Sequence, residues 1–177
     1  LSRLVALLLV GLFVVSGCGP TDPEDPMFWV AKLKTRERRA AVKQLASMGP
    51  KALVAVPELV ALYGKGKEKG EIVLSLVQLK AQGPEVATLY AQAIADPTEQ
   101  NAAAAAADAL GDLGAREKKK ELIAVLDMDM EDQVKAAALR ALVKFKDPET
   151  VDDLIRILEK DPDKQWIHLN ALACEAL

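Results

Sequence analysis

The chain has 177 residues, enough for one compact domain or a short array, with 51% apolar residues but only 4% aromatic ones. A net charge of −3, without a long block of one sign, argues against general nucleic-acid binding. The two cysteines, Cys18 and Cys174, are too few for a disulfide framework and show no CxxC metal spacing. The apolar weight comes from Ala, Leu and Val rather than from aromatic residues, which points to an all-α chain.

At the N-terminus, residues 4–15 form an unbroken run of twelve apolar residues, Gly11 among them, behind Arg3. A short basic flank and an apolar stretch of this length read as a secretory signal, because a membrane-spanning helix needs about 20 apolar residues. The run ends in Val15-Ser16-Gly17-Cys18. This tetrad resembles the bacterial lipobox, in which a branched apolar residue and two small ones precede a cysteine. The resemblance implies a signal peptide over 1–17, cut between Gly17 and Cys18. It further implies diacylglycerol on the Cys18 sulfur and acylation of the new amino group, so that the membrane is a partner through the lipid. Several acyl chains satisfy the two-signal requirement for stable anchoring. Gly19 stands where an Asp would resemble the inner-membrane retention signal of Gram-negative lipoproteins. The expected location is therefore the bacterial cell envelope, on the outer membrane. The segment Gly19-Pro20-Thr21-Asp22-Pro23-Glu24-Asp25-Pro26 is proline-rich and acidic, which predicts a flexible tether over 18–26 that holds the folded part off the lipid surface.

From residue 27 onward the chain repeats itself. Aligned on a glycine stop, Leu45, Leu79, Leu110 and Leu142 form one column at nearly even steps. Four positions later come Gly49, Gly83, Gly114 and Lys146, and just before the stop Met48, Gln82, Leu113 and Phe145. A second column runs through Leu59, Leu89, Leu122 and Leu154, followed by Val60, Tyr90, Ile123 and Ile155. Glycine permits the left-handed backbone of a helix C-cap, and Pro50, Pro84 and Pro148 follow the stop, where proline can open the next helix. Each unit is thus two amphipathic helices of about 10–15 residues that bury their apolar stripes only by stacking on neighbours. The alanine run at residues 102–107 suggests close helix approach in the third unit.

The motif Ala106-Ala107-Asp108-Ala109-Leu110-Gly111-Asp112-Leu113-Gly114 and the second-helix motif Val151-Asp152-Asp153-Leu154-Ile155-Arg156-Ile157-Leu158 are similar to the HEAT-like repeats of bacterial proteins. The resemblance implies an all-α, α-α superhelix, a HEAT-like solenoid of about four and a half helical hairpins over 27–177. Met27-Phe28-Trp29-Val30 would cap its N-terminal end. The last unit breaks off at Ala173-Cys174-Glu175-Ala176-Leu177, so more chain or a partner is expected to cover that face.

Residues able to carry chemistry are sparse. His168 is the only histidine, and the His-Glu pairs that mark HEAT-like metal oxygenases do not occur. Cys174 falls on an inward column and reads as a buried small apolar residue. No phosphate-binding, dinucleotide-binding or nucleophile-elbow motif is present. The acidic run Asp127-Met128-Asp129-Met130-Glu131-Asp132 lacks the spacing and glycine of a calcium loop and is read as cap and loop. Basic residues cluster at Lys32, Lys34, Arg36, Arg38 and Arg39, close to the lipid site. They could touch anionic head groups, although a solvated helix face with interspersed Glu is the preferred reading. No catalytic, cofactor-binding or metal residue is assigned. The expected function is that of an exported, lipid-anchored scaffold, not an enzyme, binding a protein or peptide partner that the sequence leaves unidentified. The alternatives are a membrane-anchoring repeat segment of a larger protein, or a modifying enzyme such as the bilin lyases that HEAT repeats resemble.

Overall fold

Glycines, prolines and short apolar stripes cut the chain into helices a few turns long. The computed structural model describes residues 21–153, which hold eight complete α-helices, the start of another at 148–153, and no strand. They are α1 (Pro26–Lys32), α2 (Arg38–Met48), α3 (Val56–Gly64), α4 (Lys69–Gln78), α5 (Pro84–Ala93), α6 (Gln100–Leu113), α7 (Lys119–Asp127) and α8 (Asp132–Phe145). Short 3₁₀ segments at Gly49–Ala55 and Arg116–Lys118 lead into α3 and α7. Gly17, Cys18, His168, Cys174 and Leu177, with the column positions Leu154 and Ile155, lie outside the described residues.

The first helices of the units, α2, α4, α6 and α8, pack on one another in chain order. The second helices form another layer, in which α3 meets α5 and α5 meets the 3₁₀ turn that leads into α7. One continuous apolar core runs between the layers, from Leu33 to Phe145. This is an α-α solenoid. It answers the problem posed by each amphipathic helix, since a stripe that its own helix leaves open is covered by the neighbouring ones. The run Arg38–Gly64 has the length and mean hydropathy, 1.4, of a membrane crossing. Gly49, at φ 59°, and the non-helical Ala52 break it into α2 and α3. With Ala41, Val42, Leu45 and Leu59 all buried against protein, we read it as the first repeat hairpin.

The structure corrects the register of the second unit. Leu45, Leu110 and Leu142 are buried at equivalent places, four residues before a left-handed residue: Gly49, Gly114 and Lys146. In the second unit the left-handed residue is Lys80, at φ 54°, so the equivalent leucine is Leu76 and not Leu79. The hydrogen bonds agree. The Ala81 N–H donates to the Leu76 carbonyl at 3.0 Å, as the Ala115 N–H donates to that of Leu110 at 3.1 Å. This link from six to one closes a Schellman cap in both units. The corrected columns are Ala41, Ile72, Ala106, Ala138; then Leu45, Leu76, Leu110, Leu142; then Met48, Leu79, Leu113, Phe145. The polar Gln82 drops out, and every column becomes apolar. Gly83, at φ 118° and ψ 162°, precedes Pro84 and starts α5. Gly83 has the composition of a stop, but the helix ends earlier, on a lysine.

Close approach is sharpest between α6 and α8. A β-carbon built on Gly111 would lie 2.7 Å from the Ala141 Cα, so the two helices touch along backbone. Ala102, Ala103, Ala106 and Ala107 on α6 and Ala137, Ala138 and Ala141 on α8 are buried in the same region. The alanine run therefore does mark a close junction, with glycine at its tightest point.

At the other end, the stretch expected to be a tether folds back. The Asp25 N–H donates to the Asp22 carbonyl at 3.0 Å, and the Asp25 carboxylate accepts from the Met27 N–H at 2.9 Å, capping α1. The Trp29 indole Nε1 donates to the Pro23 carbonyl at 2.8 Å. Pro26 occupies the first turn of α1, where its missing N–H costs nothing. Leu33, fully buried, plugs α1 onto the core.

Candidate interaction surface

The polar groups on the first-helix layer mostly tie one unit to the next. Arg140 reaches Asp108 with two bonds, Nε to Oδ1 at 3.0 Å and Nη2 to Oδ2 at 2.8 Å. Lys144 Nζ meets Asp112 at 2.6 Å, Arg39 meets Glu71 at 2.7 Å, and the Gln133 amide donates to Asn101 at 3.3 Å. In all four contacts the partners are separated by the same step along the chain, one repeat period, so the pairs recur with the fold itself. The Ser75 hydroxyl, buried, donates to the Glu71 carbonyl at 2.7 Å and also reaches the Val42 carbonyl at 3.3 Å, joining α4 to α2.

Basic residues also cluster at Arg116, Lys118, Lys119 and Lys120, and ion pairs to acidic side chains occur in both clusters. In the second, Lys119 Nζ lies 2.9 Å from Asp147 and 3.3 Å from Glu149, a link from α7 to the turn after α8. Its hydrogen bonds, first to Asp147 and then to Glu149, raise the Lys119 pKa. The bond to Lys119, aided by the Thr150 hydroxyl, holds the Asp147 carboxyl below the usual range. In the first cluster, Lys32 pairs with Glu37, Lys34 with Glu58 at 3.2 Å, and Arg38 approaches Glu68 at 3.7 Å. Lys34, Thr35, Arg36, Arg38, Arg39 and Glu68 line an open cleft of about 550 Å³ there. Among the described residues, no three His, Cys, Asp or Glu side chains gather as they would around a metal ion.

The second-helix layer differs. Val60, Tyr63 and Gly64 on α3 and Glu85, Thr88, Leu89 and Gln92 on α5, together with Pro84 at its start, line a groove of about 410 Å³. The spacings are i, i+3, i+4 on one helix and i, i+3, i+4, i+7 on the other, so each helix turns a single stripe towards the groove. Leu89 and Tyr63 are buried in its floor, while Thr88, Glu85 and Gln92 stand exposed along its edge. Burial, and then the nearby Asp96 carboxylate, raise the Tyr63 pKa. Lys69 Nζ sits 5.6 Å from the Tyr63 ring centre at the rim. An apolar floor with a few polar edge groups, at this volume, suits a side chain or short segment of another molecule. Sequence reading places Val60 and Leu89 on second-helix columns but does not single out this groove. Stepping three and four residues along each helix from those columns finds Tyr63, Gly64 and Gln92.

Comparison with known proteins bears on the second half of the chain. The family model described as HEAT repeats matches residues 86–173, from within α5 onward. No curated protein and no solved structure matches the chain. Residues 86–173 are thus similar to HEAT repeats, and the stacked two-layer helices carry the same α-α solenoid back through the preceding units.

Proposed function

We propose that the protein is an exported, lipid-anchored HEAT-repeat scaffold that binds a segment of another protein in the groove between α3 and α5. HEAT repeats commonly serve as interaction scaffolds, offering a long surface on which neighbouring helices present parallel stripes. The groove is the observation that carries the reading. It combines an apolar floor of Val60, Tyr63 and Leu89 with the edge groups Thr88, Glu85 and Gln92. A partner strand or helix could lay one apolar side chain onto that floor and hydrogen-bond along the rim. The ion pairs of the first-helix layer are already used between repeats, which leaves the second-helix layer free for recognition.

The experiment is site-specific photo-crosslinking in cells that produce the protein. A photoreactive residue replaces Thr88 or Gln92 in the groove, or Glu117 away from it. One discrete adduct from both groove positions, absent at 117 and abolished by Leu89→Glu, is expected. Adducts of equal yield at all three positions would refute the assignment. The lipid anchor rests on Val15-Ser16-Gly17-Cys18. It predicts palmitate labelling that disappears in Cys18→Ala and a precursor that accumulates under globomycin. Absence of label, or label that survives in Cys18→Ala, would remove that part of the proposal.

A further inference from the structure

We propose that the N-terminal cap docks on the membrane surface, with Met27, Leu53 and Val54 dipping among the lipids. This rests on the lipid-anchor reading and changes its consequence: the folded body lies on the bilayer instead of standing off it.

The first observation is the length of the leash. The body begins at Asp22, whose carboxylate accepts from the Glu24 N–H at 2.9 Å and whose carbonyl accepts from the Asp25 N–H at 3.0 Å. The Trp29 indole then binds the Pro23 carbonyl, clamping the turn to α1. Only four residue steps separate Cys18 from Asp22, a reach of at most about 14 Å at full extension. The head-group layer is itself roughly 5–8 Å deep on each side of the hydrocarbon. A lipid on the Cys18 sulfur therefore brings the turn at Asp22 and α1 next to the bilayer in any orientation.

The second observation is what the cap presents. Met27, Leu53 and Val54 are 43%, 44% and 53% exposed, three of the four large apolar side chains that stand out among the described residues. α1 packs on the Gly49–Ala55 segment, so these three side chains belong to one end of the array. Lys32 lies about 7–8 Å along α1 from Met27, and Lys34, Arg36, Arg38 and Arg39 follow it in the chain. Their acidic neighbours Glu37, Glu58, Glu68 and Glu71 offset four of the five charges, and Arg36 makes no ion pair among the described residues. Asp22, Glu24 and Asp25 on the adjoining turn outweigh that single charge, so the apolar side chains and the anchor supply the hold and head-group charge does not.

The test uses the full, lipidated chain in vesicles of phosphatidylethanolamine and phosphatidylglycerol. Cys174→Ala removes the other thiol, and Val54→Cys or Asp129→Cys carries an environment-sensitive dye. At position 54 the dye should emit at shorter wavelength and lose about half its emission to lipids brominated in the acyl chain, as expected for a depth of about 5–10 Å. At position 129, on a distant loop, it should report water. The double variant Met27→Glu and Leu53→Glu should return position 54 to water while the protein stays in the membrane fraction. A water-like dye at 54 in palmitate-labelled, membrane-bound protein would overturn the docking and leave the anchor standing. Protein without palmitate would overturn both. A blue shift without vesicles that grows with protein concentration would assign the patch to a second copy of the chain, and that also overturns the proposal.

Discussion

Gly111→Ala tests the packing of the array at its tightest point. The new methyl would meet the Ala141 Cα at 2.7 Å, the Ala141 Cβ at 3.0 Å and the Lys144 Cδ at 3.2 Å. Lys144 can swing its flexible side chain aside, but the Ala141 contacts are with α8 itself. Restoring an ordinary contact of about 3.4 Å needs α8 to retreat by roughly 0.7 Å, against the bidentate Arg140–Asp108 pair and a fully buried stripe. Overpacking of this kind costs about 1–3 kcal/mol, whereas replacing glycine by alanine inside a helix returns roughly 0.8–1 kcal/mol. The expected net loss is about 1 kcal/mol, or about 2–4 °C in Tm for a chain of this size. Gly64→Ala is the matched control, since a β-carbon there meets nothing within 4 Å and the backbone is not left-handed. It should leave stability unchanged or raise it by up to about 1 kcal/mol. The assay is urea and thermal unfolding of both variants. If Gly111→Ala stabilises as much as Gly64→Ala, α6 and α8 are not in backbone contact and the close-junction argument fails.

Three further outcomes follow from the caps and the core. Lys80→Gly should stabilise by about 1 kcal/mol, because a side chain at φ 54° carries the left-handed penalty, while Gly114→Ala at φ 64° should destabilise by a similar amount. Unchanged melting of Lys80→Gly would restore Gly83 as the stop of the second unit. Leu110→Ala should cost roughly 2–5 kcal/mol in urea unfolding, since Leu110 is fully buried; a loss under about 1 kcal/mol would mean that the column is misassigned. Asp147 should titrate below the ordinary carboxylate value of about 3.9 in carboxyl NMR, and Lys119→Met should raise its midpoint. Because the folded pKa is the lower one, the Lys119–Asp147 link contributes above pH ~3.9 and is lost as pH falls through the folded midpoint. An unchanged midpoint in Lys119→Met would deny the link.

The solenoid is legible because its signals are local and recur. Apolar residues at helical spacing, prolines at helix starts and a nearly even repeat period need no tertiary knowledge, and Leu45, Leu110 and Leu142 fall where the pattern puts them. The second unit slips because a cap is a backbone conformation and not a residue type. Glycine adopts left-handed φ most cheaply, yet Lys80 and Lys146 adopt it too, and Gly83 uses its freedom to enter α5. One polar residue in an otherwise apolar column, Gln82, is the visible sign of the slip. The groove is hidden for another reason. Val60 and Leu89 belong to different repeat units, and which stripes of α3 and α5 face each other depends on how the layers pack. The folding back of Asp22 and Asp25 is masked by composition, since the same Pro, Asp and Glu that keep a linker extended also make turns and helix caps.

The two layers have different freedom to vary, and that decides where recognition can reside. In the first-helix layer, spacing is set by Gly111 against Ala141, by buried alanines, and by ion pairs that join successive units at the repeat period. A larger side chain there moves a helix, and a lost charge strands its partner in the next unit. In the second-helix layer, α3 and α5 are held by Leu59, Leu62, Val86 and Tyr90 in the core, while Thr88, Gln92 and Glu85 border open space. Substitutions at those edge positions leave every column and every inter-repeat tie in place. The edge of the proposed groove can therefore vary without changing the pitch of the solenoid. Thr88→Arg should alter partner affinity at constant Tm, whereas Ala141→Leu should lower Tm before any effect on binding can be read.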